Sequence, residues 1–337
     1  MNSISAIFKS AVHALPFISM IFAGGCGAHA SSGCESDSAA VGETTVAAAA
    51  TFSADSAYQF LKTQVEFGAR VPNTPAHKAT AQWLETKLRQ YCDTVIVTPF
   101  KPLTFDNVRL DARNLFAQIN PGISDRTLLL AHWDSRPWAD KDPDPAMRDT
   151  PVDGANDGAS GVAVILEIAR LLRVNRDNVG VDILFVDAED WGSEGDDDSW
   201  ALGAQHFAQH PPLDGYAPRE AILLDMVGGK NPVFTREYFS QQSNPRLNQR
   251  IWRKAAELGY ADIFVDRVET AVTDDHVRLI EAGIPAVDII EYHPGQGFNP
   301  TWHTTGDNLQ NIDINTLDIV GNVVYQVITD RQSNGNK

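Results

Sequence analysis

The chain has too few cysteines to be held together by them. Three in 337 residues, Cys26, Cys34 and Cys92, cannot build a disulfide framework, and no bridge between Cys34 and Cys92 is indicated. Positive charge is also scarce. Lysine and arginine number 27 against 44 acidic residues, a net charge of −17, and a chain this acidic repels phosphate backbones, which excludes nucleic acid as a partner. Long hydrophobic runs are missing too: the mostly apolar stretch from Ala11 to Ala23 is too short to span a bilayer as a stable helix. There is no internal repeat and no linker after residue 52. What remains is a globular chain, 43% hydrophobic, able to bury one large core or two modest ones.

Residues 1–30 read as a targeting signal outside the fold. Lys9 is their only charged side chain, the apolar run follows it, and small residues follow that, which is the order of a secretory signal. Two cleavage sites compete. Ala28-His29-Ala30 has the small-x-small form for ordinary release, while Ala23-Gly24-Gly25-Cys26 resembles a bacterial lipobox and would leave a lipidated Cys26. Residues 31–51, rich in Ser, Ala and Gly, read as a flexible tether. The expected location is therefore exported and periplasmic, with attachment to a membrane only through a lipid.

Residues 52–332 alternate between helical and strand patterns. Helices are expected from Ser53 or Asp55 to Phe67, from Pro75 (capped by Thr74) to Tyr91, over Val162–Arg173, Trp200–Gln209, Arg246–Leu258 and Ile314–Asp330, with a short segment at His276–Glu281. Strands are expected at Thr94–Phe100, Val108–Ile119, Thr127–His132, Val181–Asp187, Ala221–Met226 and Ala286–Ile290. The alternation implies one α/β domain around a central mixed, mostly parallel sheet flanked by helices. In such sheets ligands sit beyond the carboxyl ends of the strands.

The chemistry-bearing residues fall at those ends. His132-Trp133-Asp134-Ser135, Asp187-Ala188-Glu189-Asp190 and Leu224-Asp225 each close an apolar run. The run Gly154-Ala155-Asn156-Asp157-Gly158-Ala159-Ser160-Gly161 places Asp157 in a glycine-bracketed turn just before a helix, and His303 follows Trp302 in a late loop. Carboxylates and imidazoles without sulfur suit zinc, whose catalytic sites keep one position open. Glu189 and Asp190 are adjacent, so one can bind metal while the other works on substrate as acid or base. A solvated loop accounts for Glu194, Asp196, Asp197 and Asp198; His77, His206 and His210 read as surface or helix histidines, and His293 is left undecided.

The order of these motifs resembles the M28 zinc peptidase superfamily over residues 53–330. Asp274-Asp275-His276, Trp302 before His303, Phe298 and Leu223-Leu224-Asp225-Met226-Val227-Gly228 resemble its glutaminyl cyclase (glutaminyl-peptide cyclotransferase) branch, with a zinc-exopeptidase-like fold. That resemblance implies Asp157, Asp190 and His303 as ligands of one zinc per chain. It implies Glu189 as general acid/base with Asp225 and Asp274 as its hydrogen-bonding partners, and Trp302 and Phe298 as pocket walls. The substrates it implies are peptides or proteins beginning with glutamine. Two departures stand out. Many members carry Glu where this chain has the shorter Asp190, and the animal cyclases carry Trp where it has Gly195, leaving Trp191 to fill the space. An aminopeptidase of the same superfamily is the alternative, since His132 and Asp225 match positions that hold a second zinc bridged by Asp157.

Overall fold

In the computed structural model, residues 49–330 are described; the signal and most of the tether lie outside the described residues. The described body begins at the end of the expected tether. Ala50 exchanges two 2.9 Å hydrogen bonds with the Asn175 side chain, and Phe52 is buried against Gly321.

The helices are α1 (Ala54–Glu66), α2 (Pro75–Tyr91), α3 (Ala159–Asn175), α4 (Leu202–Gln209), α5 (Tyr238–Ser243), α6 (Pro245–Glu257), α7 (Asp275–Glu281) and α8 (Ile314–Thr329). Ser53 and Thr74 cap α1 and α2 through their hydroxyls, as their positions predict. The strands are β1 (Thr94–Phe100), β2 (Ala112–Ile119), β3 (Arg126–His132), β4 (Gly180–Val186), β5 (Glu220–Asp225), β6 (Phe234–Arg236), β7 (Phe264–Val268) and β8 (Ala286–Ile290).

Six strands form one sheet in the order β1-β2-β4-β3-β5-β8, with β4, β3, β5 and β8 parallel and β1 and β2 antiparallel at one side. Every residue of the four parallel strands is buried. Their side chains alternate between two cores. Leu129, Ile183 and Ile222 join a core with α1, α2, α3, α6 and α8, whereas Leu128, Leu130, Leu184 and Leu223 join the other, with Phe207 of α4 and Leu279 of α7. Helices cover both faces, which is why these strands read as unbroken apolar runs. Edge strand β1 is half-exposed and carries Pro99, which an edge tolerates.

Several details differ from the sequence reading, among them the start of α4 at Leu202 rather than Trp200. Strand β2 starts at Ala112 rather than Val108, because Thr104 closes a turn on Val108 through its hydroxyl and Asn107 sits at φ +64°. Helix α3 starts at Ala159, three residues early. The small pair β6–β7 and the one-and-a-half-turn helix α5 were not anticipated.

Register aligns the carboxyl ends of the parallel strands: His132 lies opposite Val186, and Asp225 opposite Ile290. The segments after β3, β4, β5 and β8 therefore start from one rim. Helix α3 packs so tightly under that rim that a Cβ on Gly161 would sit 2.0 Å from the Leu224 carbonyl oxygen. Backbone cannot yield there as a side-chain tip can. Gly161→Ala is expected to destabilise the protein by roughly 3 kcal/mol or more, seen as a lower urea midpoint; an unchanged midpoint would refute this packing.

Glu237 joins the small sheet to α7. Its carboxylate accepts from the Phe239, Ser240 and Val272 amides and the Ser240 hydroxyl, and stands 3.0 Å from His276 Nε2. Burial pushes its pKa up, but the His276 and Ser240 contacts win and hold it down at about 2. A carboxylate depressed in the fold stabilises above its ordinary pKa of 4.5 and loses that contribution as the pH falls toward 2. Glu237→Gln is expected to cost on the order of 2–3 kcal/mol at pH 7, with the gap to wild type closing below about pH 4.5. Denaturant melts across pH measure it, and a gap that stays constant down to pH 3 contradicts the pairing.

Candidate metal centre

Asp157 is aimed by its turn. The amides of Asn156 and Asp157 donate to the Asp307 carboxylate, and the buried Arg70 guanidinium donates to the carbonyls of Trp133, Asp153 and Gly154 beneath the loop. Gly158 is required: at φ +90°, a Cβ would meet the Asp134 carbonyl at 2.7 Å and His132 Cε1 at 2.9 Å. After β4 the chain turns at Ala188, φ +57°, and the Asp134 carboxylate accepts from the Glu189 and Asp190 amides. That turn sends Asp190 toward the Asp157 loop and leaves Glu189 facing the cavity. Asp187 goes elsewhere, to His77 at 2.8 Å and the Arg113 amide, so His77 is a buried helix residue rather than a surface one.

His303 arrives on a loop at φ +55°, with the rings of Trp302 and Trp200 stacked on it at 3.8 and 5.9 Å. Its Nε2 is 3.2 Å from Asp190 Oδ1 and 3.7 Å from Asp157 Oδ2. One ligand atom from each of the three residues lies within 4.8 Å of the others, and all three are buried. Burial, opposed by Arg136, pushes Asp190 up to about 7. His303 is lowered to about 3 by burial and Arg136, which keeps the imidazole neutral. Its Nδ1 has no hydrogen-bond partner. Two buried carboxylates and a neutral imidazole converging on one point fit a zinc ion by donor set and by the charge they leave uncompensated.

A second cluster shares Asp157. His132 Nε2 is 2.9 Å from Asp157 Oδ1 and 3.3 Å from Asp225 Oδ1, while its Nδ1 is 3.5 Å from Asp134. Burial opposes charge on His132, yet the three carboxylates around it raise its pKa well above the ordinary value.

The cavity beside these groups measures about 360 Å³ and is lined by Asp157, Glu189, Asp225, Asp274, His303 and the apolar faces of Trp200, Met226, Val272, Phe298 and Trp302. Glu189 is raised well above the ordinary carboxyl range, first by burial and then by Asp190, Asp274 and Asp275. Asp274, which caps α7, is pushed up to about 7 by burial and by Asp225. Among the described residues no hydrogen bond joins the Glu189 carboxyl to Asp225 or Asp274. Asp274 acts on it through charge, and Asp225 faces His132 instead.

The sequence reading errs at Trp191. Its indole donates to Asp106 and its ring packs edge-on against Trp138, away from the cavity. Trp200 takes the place, packed over Gly192, where any Cβ would strike the ring. Glu194 and Asp197, expected only as solvated loop, stand at the cavity mouth, and Glu194 pairs with Lys141 at 2.6 Å while remaining 81% exposed. His293 ties the loop of Phe298 and Trp302 to the buried Glu291, which also accepts from Asn299. Arg136, Asp140, Arg70 and Asp307 were missed. Only the four-residue spacing of Arg136 and Asp140 hinted at a pair.

The description "Peptidase family M28" matches residues 114–328. A Porphyromonas gingivalis glutaminyl cyclase superposes with a TM-score of 0.82 at 46% identity, covering 84% of this chain and 100% of that one. The Bacteroides thetaiotaomicron glutaminyl cyclase bound to N-acetylhistamine gives 0.82 at 43% identity, covering 84% and 99%. A Zn-dependent exopeptidase from Parabacteroides distasonis gives 0.82 at 43%, covering 84% and 100%.

Proposed function

The chain belongs to peptidase family M28, and from that membership we propose that it is a glutaminyl-peptide cyclotransferase, converting N-terminal glutamine of peptides and proteins to pyroglutamate with release of ammonia. The observation that carries the reading is the meeting of Asp157, Asp190 and His303 beside Glu189, in an aromatic-walled cavity of about 360 Å³.

In this reaction the α-amino nitrogen attacks the side-chain amide carbon of the same residue. A nitrogen–carbon bond closes the five-membered lactam, the bond to the amide nitrogen breaks, and the proton lost by the amine leaves on ammonia. Nucleophile and electrophile share one residue, so the walls formed by Trp200, Phe298 and Trp302 need only hold a folded conformer and exclude water. Asp157, Asp190 and His303 would hold the zinc, which would supply Lewis-acid stabilisation of negative charge on the amide oxygen. Glu189 faces the cavity, and its raised pKa suits a group that accepts the amine proton and returns it to the departing nitrogen. Asp274, beside it, favours the protonated form by repulsion.

The aminopeptidase reading draws on the second cluster, because Asp157 presents one oxygen to each set. In our reading the charged His132, enclosed by Asp134, Asp157 and Asp225, takes the place of a second ion, so one zinc is bound per chain. Export rests on the amino-terminal pattern alone. We read residues 1–30 as a signal that delivers the enzyme to the periplasm, with Cys26 as the lipid-bearing residue if the lipobox is used.

A Gln-initiated peptide should lose ammonia with wild-type enzyme, and metal analysis should give one zinc per chain. Release of a free amino acid with two zinc ions would reverse the assignment. Glu189→Gln is expected to keep its zinc and lose about 10²–10⁴-fold in kcat, whereas Asp157→Ala should lose the metal itself. Near-normal turnover by Glu189→Gln would move the proton shuttle to another group.

A further inference from the structure

The short ligand at position 190 raises a mechanical question. An aspartate has one fewer torsion than the glutamate of many relatives, so its aim is set by its own backbone. That backbone is held at both ends. The Asp134 carboxylate takes the Asp190 amide, and Arg136 Nη1 donates to the Asp190 carbonyl at 3.0 Å and reaches its Oδ1 at 3.3 Å. The same nitrogen contacts the Gly192 carbonyl at 3.4 Å.

The other edge of this guanidinium faces His303. Arg136 Nε donates to Asp140 Oδ1 at 2.6 Å and Nη2 to Oδ2 at 3.2 Å. Asp140 Oδ1 in turn stands 3.5 Å from His303 Nδ1, the ring nitrogen that does not face the other ligands. The next residue pins the loop, the Lys141 amide donating to the His303 carbonyl at 3.1 Å. The guanidinium lies between the rings of Trp138 and Trp200, at 5.1 and 4.8 Å, and the Arg136 side chain is 3% exposed.

We propose that Arg136 is a positioning residue that locks two of the three metal ligands into one geometry: Asp190 directly, and His303 through Asp140. The forked cation gives the short carboxylate the fixed aim its missing methylene denies it. Asp140 is not hydrogen-bonded to His303 but sets its negative charge 3.5 Å from Nδ1, which favours the imidazole tautomer that carries hydrogen there and leaves Nε2 for metal. A lysine could not do both, since its point charge cannot span Asp140 and Asp190 along two edges of a plane.

The inference rests on the assignment of Asp157, Asp190 and His303 as zinc ligands, and the test separates the two. Zinc affinity is measured by competition with a chromophoric chelator for the wild type, Arg136→Met, Arg136→Lys, Asp140→Asn and the Arg136→Met/Asp140→Asn double variant, with the melting temperature of each metal-free protein alongside. The expected loss of affinity is about 10–100-fold in each single variant. The double variant should lose no more than the worse of Arg136→Met and Asp140→Asn, because both act through one device. Metal-free Asp140→Asn should melt within a few degrees of wild type, which a merely structural role would not combine with weakened zinc binding. Wild-type zinc affinity in Asp140→Asn and Arg136→Lys overturns the proposal while leaving the ligand assignment intact. A wild type that binds no zinc overturns both. Should Arg136→Met fail to fold, the Asp140→Asn and Arg136→Lys affinities decide alone.

Discussion

Asp134, Asp157, Asp190, Asp225, Asp274, Asp275 and Asp288 gather at or beside one rim of the sheet, none more than 8% exposed. Water cannot carry their charge there, and an uncompensated buried carboxylate costs several kcal/mol. The molecule answers in three ways. Backbone amides are turned inward, onto Asp134 from the strand β4 exit and onto Asp307 from the Asp157 turn. Cations are buried among the acids: His132, Arg136 and Arg70, each 3% exposed or less. Burial also raises Asp274 and Asp190 to about 7, which lessens the negative charge left to be compensated. The positive φ of Ala188 and His303 and the glycines at 158 and 161 all follow from needing these groups at one place.

Much of this was legible before any coordinates. The all-apolar stretches around Leu128–Leu130 and Ile183–Phe185 belong to strands covered on both faces, and polar residues, His132 and Asp187, come where each run reaches the rim, although both stay buried. Asp157 in its glycine-bracketed turn, Glu189 and Asp190 after a strand and His303 in a late loop stood out as candidates, while their separate roles came from the family resemblance. The structure brings Asp157, Asp190 and His303 together. The sharing of Asp157 between two clusters was implied by the family resemblance, and the structure accounts for it by the neighbouring strands that His132 and Asp225 close.

What escaped the sequence shares one physical cause. Trp191 and Trp200 are equally apolar, and which faces the cavity depends on a turn at Gly192 that no periodicity encodes. Arg136 looks like any loop arginine until the fold sandwiches it between two tryptophans. The His77–Asp187 pair joins residues 110 positions apart, so His77 carries no local sign of being buried. Strand β7 is mostly exposed and only five residues long, and its one buried residue is a phenylalanine packed on Phe234. Local pattern reports which residues are buried. Direction within the buried region is decided by long-range packing.

The same cluster also explains why one scaffold serves two chemistries. A dinuclear centre and a mononuclear one use the same carboxylates, and the difference lies in what occupies the space between Asp157, Asp225 and His132. Charge balance allows either an ion with a neutral imidazole or an imidazolium alone, because in each case positive charge must sit among the carboxylates. Here His132 is enclosed by three carboxylates, the arrangement that most favours the imidazolium. A protonated His132 would not ligate, and the one-zinc site proposed above would then have no second ion to activate water. The reaction suited to such a site is one whose nucleophile the substrate brings with it. An α-amine poised on its own side-chain amide meets that condition, and the aromatic walls that exclude water serve it equally well.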